Sequence, residues 1–160
     1  MSRGQYPNTR MRRNRMQTFS RRLVAENRLS TDDLIWPLFV IEGKNQTEAI
    51  DAMPGVSRHS IDRLLEQAHQ AVELSIPAIA IFPSIDVSLK DLSGSLAQDG
   101  DNLVCRAVQA LKSAYPDLGI VCDVALDPFT DHGHDGVMKA EEILNDETVK
   151  ILCQQAVHQD

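Results

Sequence analysis

Three short apolar runs at near-equal spacing constrain this chain more than any other feature. They are Asp33 to Ile41 (DLIWPLFVI), Pro77 to Pro83 (PAIAIFP) and Gly119 to Val124 (GIVCDV). Strands starting near Leu34, Ala78 and Gly119 repeat every ~40 residues, the length of a β/α unit in a parallel sheet. The first run is continuous and rich in β-branched and aromatic residues, which predicts a strand buried on both faces. Pro37 inside it has no N–H for the ladder, so the strand should start, bend or lie at an edge there.

Between the runs the apolar period changes to that of a helix. Ser60 precedes Ile61, Leu64, Leu65, Ala68 and Val72, and Asp101 precedes Leu103, Val104, Ala107, Val108 and Leu111. Both patterns predict helices with those polar residues as N-caps. Asp146 opens a last helical stripe of Val149, Leu152, Ala156 and Val157. Single strands alternating with helices place the chain in the α/β class.

Two architectures suit that alternation, a doubly wound sheet and a (β/α)8 TIM barrel. No GxGxxG or GxxxxGK[ST] follows any of the runs, which speaks against a dinucleotide-binding or P-loop domain. The barrel is favoured, and since it needs ~200 residues or more, the 160 present amount to about its first half. The pattern breaks off inside a helix, so further strands are expected to belong to the fold.

Charge separates the chain into two parts. Residues 1–28 hold eight arginines against one acid, Glu26, and so carry +7; the other eight basic residues face 22 acids and leave −14. We therefore read residues 1–30 as a basic N-terminal arm and 31–160 as an acidic partial barrel. Few aromatic residues interleave with the arginines, which disfavours nucleic acid as the partner. An arm that packs on a neighbouring copy of the same acidic protein fits better.

Cys105, Cys122 and Cys153 show no CxxC spacing and are odd in number, so they are expected as small buried residues and not as a disulfide framework or zinc knuckle. The apolar runs are far shorter than the ~20 residues of a membrane span. A cytoplasmic location without a membrane partner is the expectation.

The chemistry concentrates in Asp123-Val124-Ala125-Leu126-Asp127-Pro128-Phe129-Thr130-Asp131-His132-Gly133-His134-Asp135-Gly136, which holds four carboxylates and two imidazoles. Unpaired carboxylates are costly to bury, so this loop must face solvent or a cation. Strand alternation would place Asp123, Ala125 and Asp127 on one face. Residues four apart on an extended strand lie ~13 Å apart, so Asp127 and Asp135, joined by a loop able to fold back, are a better cation pair than Asp123 and Asp127. His132 and His134 are expected to serve the loop's own hydrogen bonds, and Gly133 and Gly136 to permit positive φ or a close approach.

Together with Leu34-Ile35-Trp36-Pro37-Leu38-Phe39-Val40, Met53-Pro54-Gly55-Val56-Ser57-Arg58, Ile81-Phe82-Pro83 and the Arg-rich arm, this loop resembles the porphobilinogen synthase (δ-aminolevulinic acid dehydratase) family over nearly the whole chain. The resemblance implies a (β/α)8 barrel whose N-terminal arm embraces a neighbouring subunit, usually in an octamer. It implies condensation of two 5-aminolevulinate molecules to porphobilinogen with loss of two waters, on the route to haem.

The positions where zinc-dependent members carry three cysteines are here Ala125, Asp127 and Asp135. Oxygen donors suit magnesium or a monovalent ion, so no zinc is expected and magnesium on Asp127 and Asp135 is. By the same resemblance Asp123 orients the substrate or a lysine, and Asp127, Phe129 and Asp135 belong to the active-site loop. The family's two catalytic lysines match nothing here: Lys44, Lys90, Lys112, Lys139 and Lys150 fall in connections or on helix faces. The 160 residues alone are expected to be inactive, since an imine requires a lysine nucleophile.

Two smaller departures are Leu96 in Gly94-Ser95-Leu96-Ala97, where the family favours glutamate, and Ser75, where glycine is common. Two other classes compete with this reading: a metal-dependent aldolase or lyase using Asp127 and Asp135, and a non-catalytic module binding through its arginine arm.

Overall fold

The structure, a computed structural model, describes residues 4–160. The chain divides after Ser30. In the first unit two short helices, α1 (Arg13–Met16) and α2 (Thr18–Leu23), bury no side chain. Arg21 ties them by donating from Nη1 to the Arg15 carbonyl at 2.9 Å and from Nη2 to Thr18 Oγ1 at 3.1 Å. Met11, Met16, Phe19 and Leu23 are all exposed there, interleaved with the arginines.

The second unit is built on a five-stranded sheet. In chain order its elements are β1 (Ile35–Val40), β2 (Thr47–Ala49), β3 (Ser57–His59), α3 (Ile61–Glu73), β4 (Ala78–Pro83), α4 (Leu103–Ala114) and β5 (Gly119–Cys122). A hairpin, β6 (Met138–Lys139) and β7 (Glu142–Ile143), leads into α5 (Asn145–Gln159). The sheet order is β2-β3-β1-β4-β5, with β3, β1, β4 and β5 parallel and β2 antiparallel at one edge. The three predicted strands are present. The two short ones were not foreseen, because Thr47–Ala49 is wholly exposed and Ser57–His59 is polar, so neither carries an apolar signal.

Pro37 sits inside β1, a central strand, yet the proline rule still operates locally. Val40 accepts from Ser84 N–H on the β4 side, while Ile41 N–H donates to His59 on the β3 side at 3.0 Å. Alternation puts Pro37 on the β3 side, where pairing begins only at Phe39. The absent donor therefore faces a stretch without a ladder.

The core lies on one face of the sheet. Leu38, Val40, Ile79 and Ile81 pack with Leu64, Ala68 and Ala71 of α3 and with Leu103, Val104, Ala107 and Leu111 of α4. On the other face Ile35 and Val121 stay exposed and Phe39 and Phe82 are half-buried, their rings 5.8 Å apart. The expectation of a strand buried on both faces thus fails for β1. One-sided helix cover also separates this sheet from a doubly wound one, which has helices on both faces. The sheet is open and no barrel closes within these residues.

Local details correct several sequence expectations. The N-cap of α4 is Asn102, whose side chain accepts from the N–H groups of Val104 and Cys105 at 2.9 and 3.1 Å; Asp101 lies one residue too early. Ser60 does cap α3 by position, but its hydroxyl donates to Asp62 Oδ1 at 2.6 Å and accepts from Gln46 N–H at 2.9 Å. Val72 is exposed and Ala71 takes its place in the core. In α5 the inward residues are Thr148, Ile151, Leu152 and Gln155, while Val149 and Val157 are 48% and 75% exposed. Cys153 is exposed too, and only Cys105 and Cys122 are partly covered.

The end of α3 gives Ser75 its physical meaning. Ile76 N–H donates to the Ala71 carbonyl and Ser75 N–H to Val72, the bond pair of a Schellman cap, with Ser75 at φ 57°. A side chain is strained in this left-handed region, so Ser75→Gly should raise stability by about 1 kcal/mol. The urea midpoint should shift upward; an unchanged or lower midpoint would count against the strain.

Candidate active site at the carboxyl ends of the strands

β1, β4 and β5 run in the same direction, and the loops leaving β4 and β5 meet at their carboxyl ends. Asp91 and Thr130 form a parallel bridge, with Asp91 N–H donating to the Phe129 carbonyl at 3.3 Å and Asp131 N–H to the Asp91 carbonyl at 3.1 Å. The Asp91 side chain organises its own loop. It accepts from Ser93 N–H at 2.8 Å, Ser93 Oγ at 2.9 Å and Ser95 N–H at 3.1 Å, and also from Ser95 Oγ. These bonds, the Ser95 hydroxyl foremost, hold the Asp91 carboxyl far below the usual carboxylate range.

Gly94 is where this loop lies on the acidic one. At φ 63° it faces Thr130 Cγ2, Phe129 Cβ and Leu126 Cδ2, which a Cβ would meet at 3.4 to 3.6 Å. Those are ordinary contact distances, so it is the positive φ that favours glycine here.

The acidic loop is pinned from below. Ladder pairing stops at Cys122, after which Ala125 and Leu126 are buried in succession, so the strand alternation expected through Asp127 is broken. Asp123 lies one residue past the strand and is exposed. Phe129 and Thr130 N–H both donate to the Leu126 carbonyl, closing a turn with Asp127 exposed on it. Phe129 belongs to this loop but is only 1% exposed. Its ring joins the core and anchors the loop.

Asp135 returns to the start of the turn. Its Oδ1 accepts the Leu126 N–H at 2.6 Å, next in sequence to Asp127. The Asp127 carboxyl is pushed above its ordinary value, first by burial, then by the negative charges of Asp135 and Asp123, with Lys90 acting in the opposite direction. Asp127 thus feels the charge of two other carboxylates, partly offset by that of Lys90 in the loop after β4.

The histidines serve the loop. His132 Nδ1 accepts from His134 N–H at 3.1 Å, leaving Nε2 to donate to the Leu92 carbonyl at 3.3 Å, and Thr130 Oγ1 donates to the His134 carbonyl at 2.9 Å. Gly133 has φ 71°, while Gly136 is a close approach, where a Cβ would meet Ile143 Cγ2 at 2.6 Å. Burial pushes the Cys122 thiol up to about 11, which disfavours a free thiolate nucleophile near neutral pH.

As a cation site the donor set is oxygen only, from Asp127 and Asp135. Among the described residues no group of three His, Cys, Asp or Glu side chains could hold a metal. Such a pair suits a hard cation that keeps much of its water, and it lacks the soft donors of a zinc centre. Sequence reasoning passed over Asp91, Lys90 and Gln155. Serines two and four residues after Asp91 were a readable turn signal; nothing local marks the other two.

Helices on one face of a parallel sheet, with carboxylates gathered at its carboxyl ends, are the arrangement found in β/α barrels, whose active sites lie at that end. A family model described as Delta-aminolevulinic acid dehydratase matches residues 8–160, and the chain belongs to that family. It is 55% identical over 150 residues to a delta-aminolevulinic acid dehydratase of Bradyrhizobium diazoefficiens, covering 94% of this chain and 42% of that protein. With the Chlamydia pneumoniae enzyme of the same name it shares 44% over 143 residues, covering 89% and 43%.

Among solved structures, the delta-aminolevulinic acid dehydratase (porphobilinogen synthase) of Toxoplasma gondii, in complex with the reaction product porphobilinogen, superposes with a TM-score of 0.88. It is 41% identical, over 94% of this chain and 43% of that one. The chain thus spans less than half the length of these relatives. No helix among the described residues is long and apolar enough to cross a membrane.

Proposed function

We propose that this chain carries the acid-lined part of the active site of a porphobilinogen synthase, which joins two 5-aminolevulinate molecules with loss of two waters. The observation that carries this reading is the return of Asp135 onto Leu126 N–H beside Asp127, at the carboxyl end of β5. It concentrates negative charge where a substrate ammonium group would be held, with Asp123 orienting that group or a lysine. The sheet is then the first part of an eight-stranded barrel, and the lysine that forms the imine comes from the other part.

The family generally uses a metal, zinc or magnesium. Here Asp127 and Asp135 are proposed to hold magnesium, and not zinc. A bound ion would offset their charge and help orient the substrate. Residues 1–30 act as an arm whose arginines and exposed apolar side chains pack on a neighbouring subunit of the acidic body, within an octamer. A cytoplasmic location, with neither nucleic acid nor membrane as a partner, is part of the same proposal.

Co-expression with the carboxy-terminal remainder of the Bradyrhizobium relative tests the reading. Porphobilinogen should form from 5-aminolevulinate, and borohydride should trap substrate on that remainder. A folded complex that makes no porphobilinogen would overturn it.

A further inference from the structure

We infer that Gln155 is a positioning residue for the acidic motif: its side-chain amide and the Asp135 carboxylate grip opposite ends of one peptide unit, Ala125–Leu126, and so fix where Asp127 stands. Gln155 is fully buried, and its Nε2 donates to the Ala125 carbonyl at 3.0 Å. Asp135 Oδ1 accepts the Leu126 N–H at 2.6 Å. The C=O and N–H of a trans peptide point in opposite directions, so bonds at both ends stop its plane from rotating. Asp127 is the next residue.

The energetics support a geometric role. Gln155 projects from α5 on the same side as Ile151 and Leu152, which pack against the core. Its Oε1 is buried without a hydrogen-bond partner among the described residues. An unpaired buried acceptor is unfavourable, and methionine would fill similar space without it. The useful group is the donor aimed at Ala125. α5 begins at Asn145, well after this peptide in sequence, so the clamp couples the last helix to the loop that holds the carboxylates.

The reading rests on the proposed function only in naming what is positioned, and hydrogen exchange decides the clamp without any activity. In the 160-residue chain, Gln155→Met should speed exchange of the Leu126 amide by about tenfold while the Leu64 and Leu111 amides keep their rates. Equal rates at Leu126, or the same acceleration at all three amides, would overturn the proposal. If the variant does not fold, the unaltered chain still decides: the Gln155 side-chain amide should exchange far more slowly than that of exposed Gln154, and similar rates refute the bond.

In the co-expressed enzyme Gln155→Met should raise KM for 5-aminolevulinate about tenfold with a smaller change in kcat. Unchanged kinetics despite faster Leu126 exchange would remove the positioning role. An inactive unaltered enzyme would instead sink the functional proposal, and the exchange result would stand.

Discussion

Replacing Phe129 by alanine should lower the unfolding free energy of the 31–160 unit by about 3–5 kcal/mol. The ring is almost fully buried among the core residues that line the helix-covered face of the sheet. Its removal leaves a cavity beneath the turn that Leu126 closes. The same residue's carbonyl accepts from Asp91 N–H, so a shift of its backbone also disturbs the bridge to the loop after β4. Urea unfolding followed by circular dichroism measures the change, and Phe129→Leu should lose much less. A loss below about 1 kcal/mol for the alanine variant would show that the site collapses to fill the space, and that the loop is held by other means.

The second large effect is expected at Asp91. Asp91→Ala removes an acceptor that serves two N–H groups and two hydroxyls, and should destabilise by about 3 kcal/mol. The ionised carboxylate is the form these donors stabilise, so its folded-state pKa lies below the unfolded one. The sign follows directly: the contribution is fully present above the unfolded value of about 4 and is lost as pH falls below it toward the folded one. Between pH 7 and 5 the difference between the parent chain and Asp91→Ala should be constant, and below pH 4 it should shrink. A difference that grows on acidification would show that Asp91 is not bound as an anion.

Much of this arrangement was readable from residue order. The three apolar runs became β1, β4 and β5, because a run of Ile, Val and Phe near a helical stripe can bury its side chains in few other ways. The reach of an extended strand set Asp123 and Asp127 apart and left Asp135 as the residue able to fold back, and Asp135 does return to the Leu126 N–H.

What was hidden depended on tertiary contacts. Asn102 rather than Asp101 caps α4, a choice between adjacent residues that only backbone geometry settles. The inward face of α5 is set by Thr148, which accepts from Val137 N–H at 3.0 Å, and by Gln155, two polar residues that a hydrophobic period passes over. Phe129 lies in the acidic loop, and its burial in the core could not be read from its neighbours in sequence. Lys90 stands near Asp127 only because the loops after β4 and β5 are bridged, a relation between positions far apart in sequence.

That bridge has a mechanical consequence. With Asp91 joined to Thr130 through the backbone and to two serines through its side chain, this side of the mouth forms a stiff rim whose two halves must open together. A rim sewn in this way makes a poor lid. Any movement over the carboxyl ends of these strands has to come from segments other than these two loops.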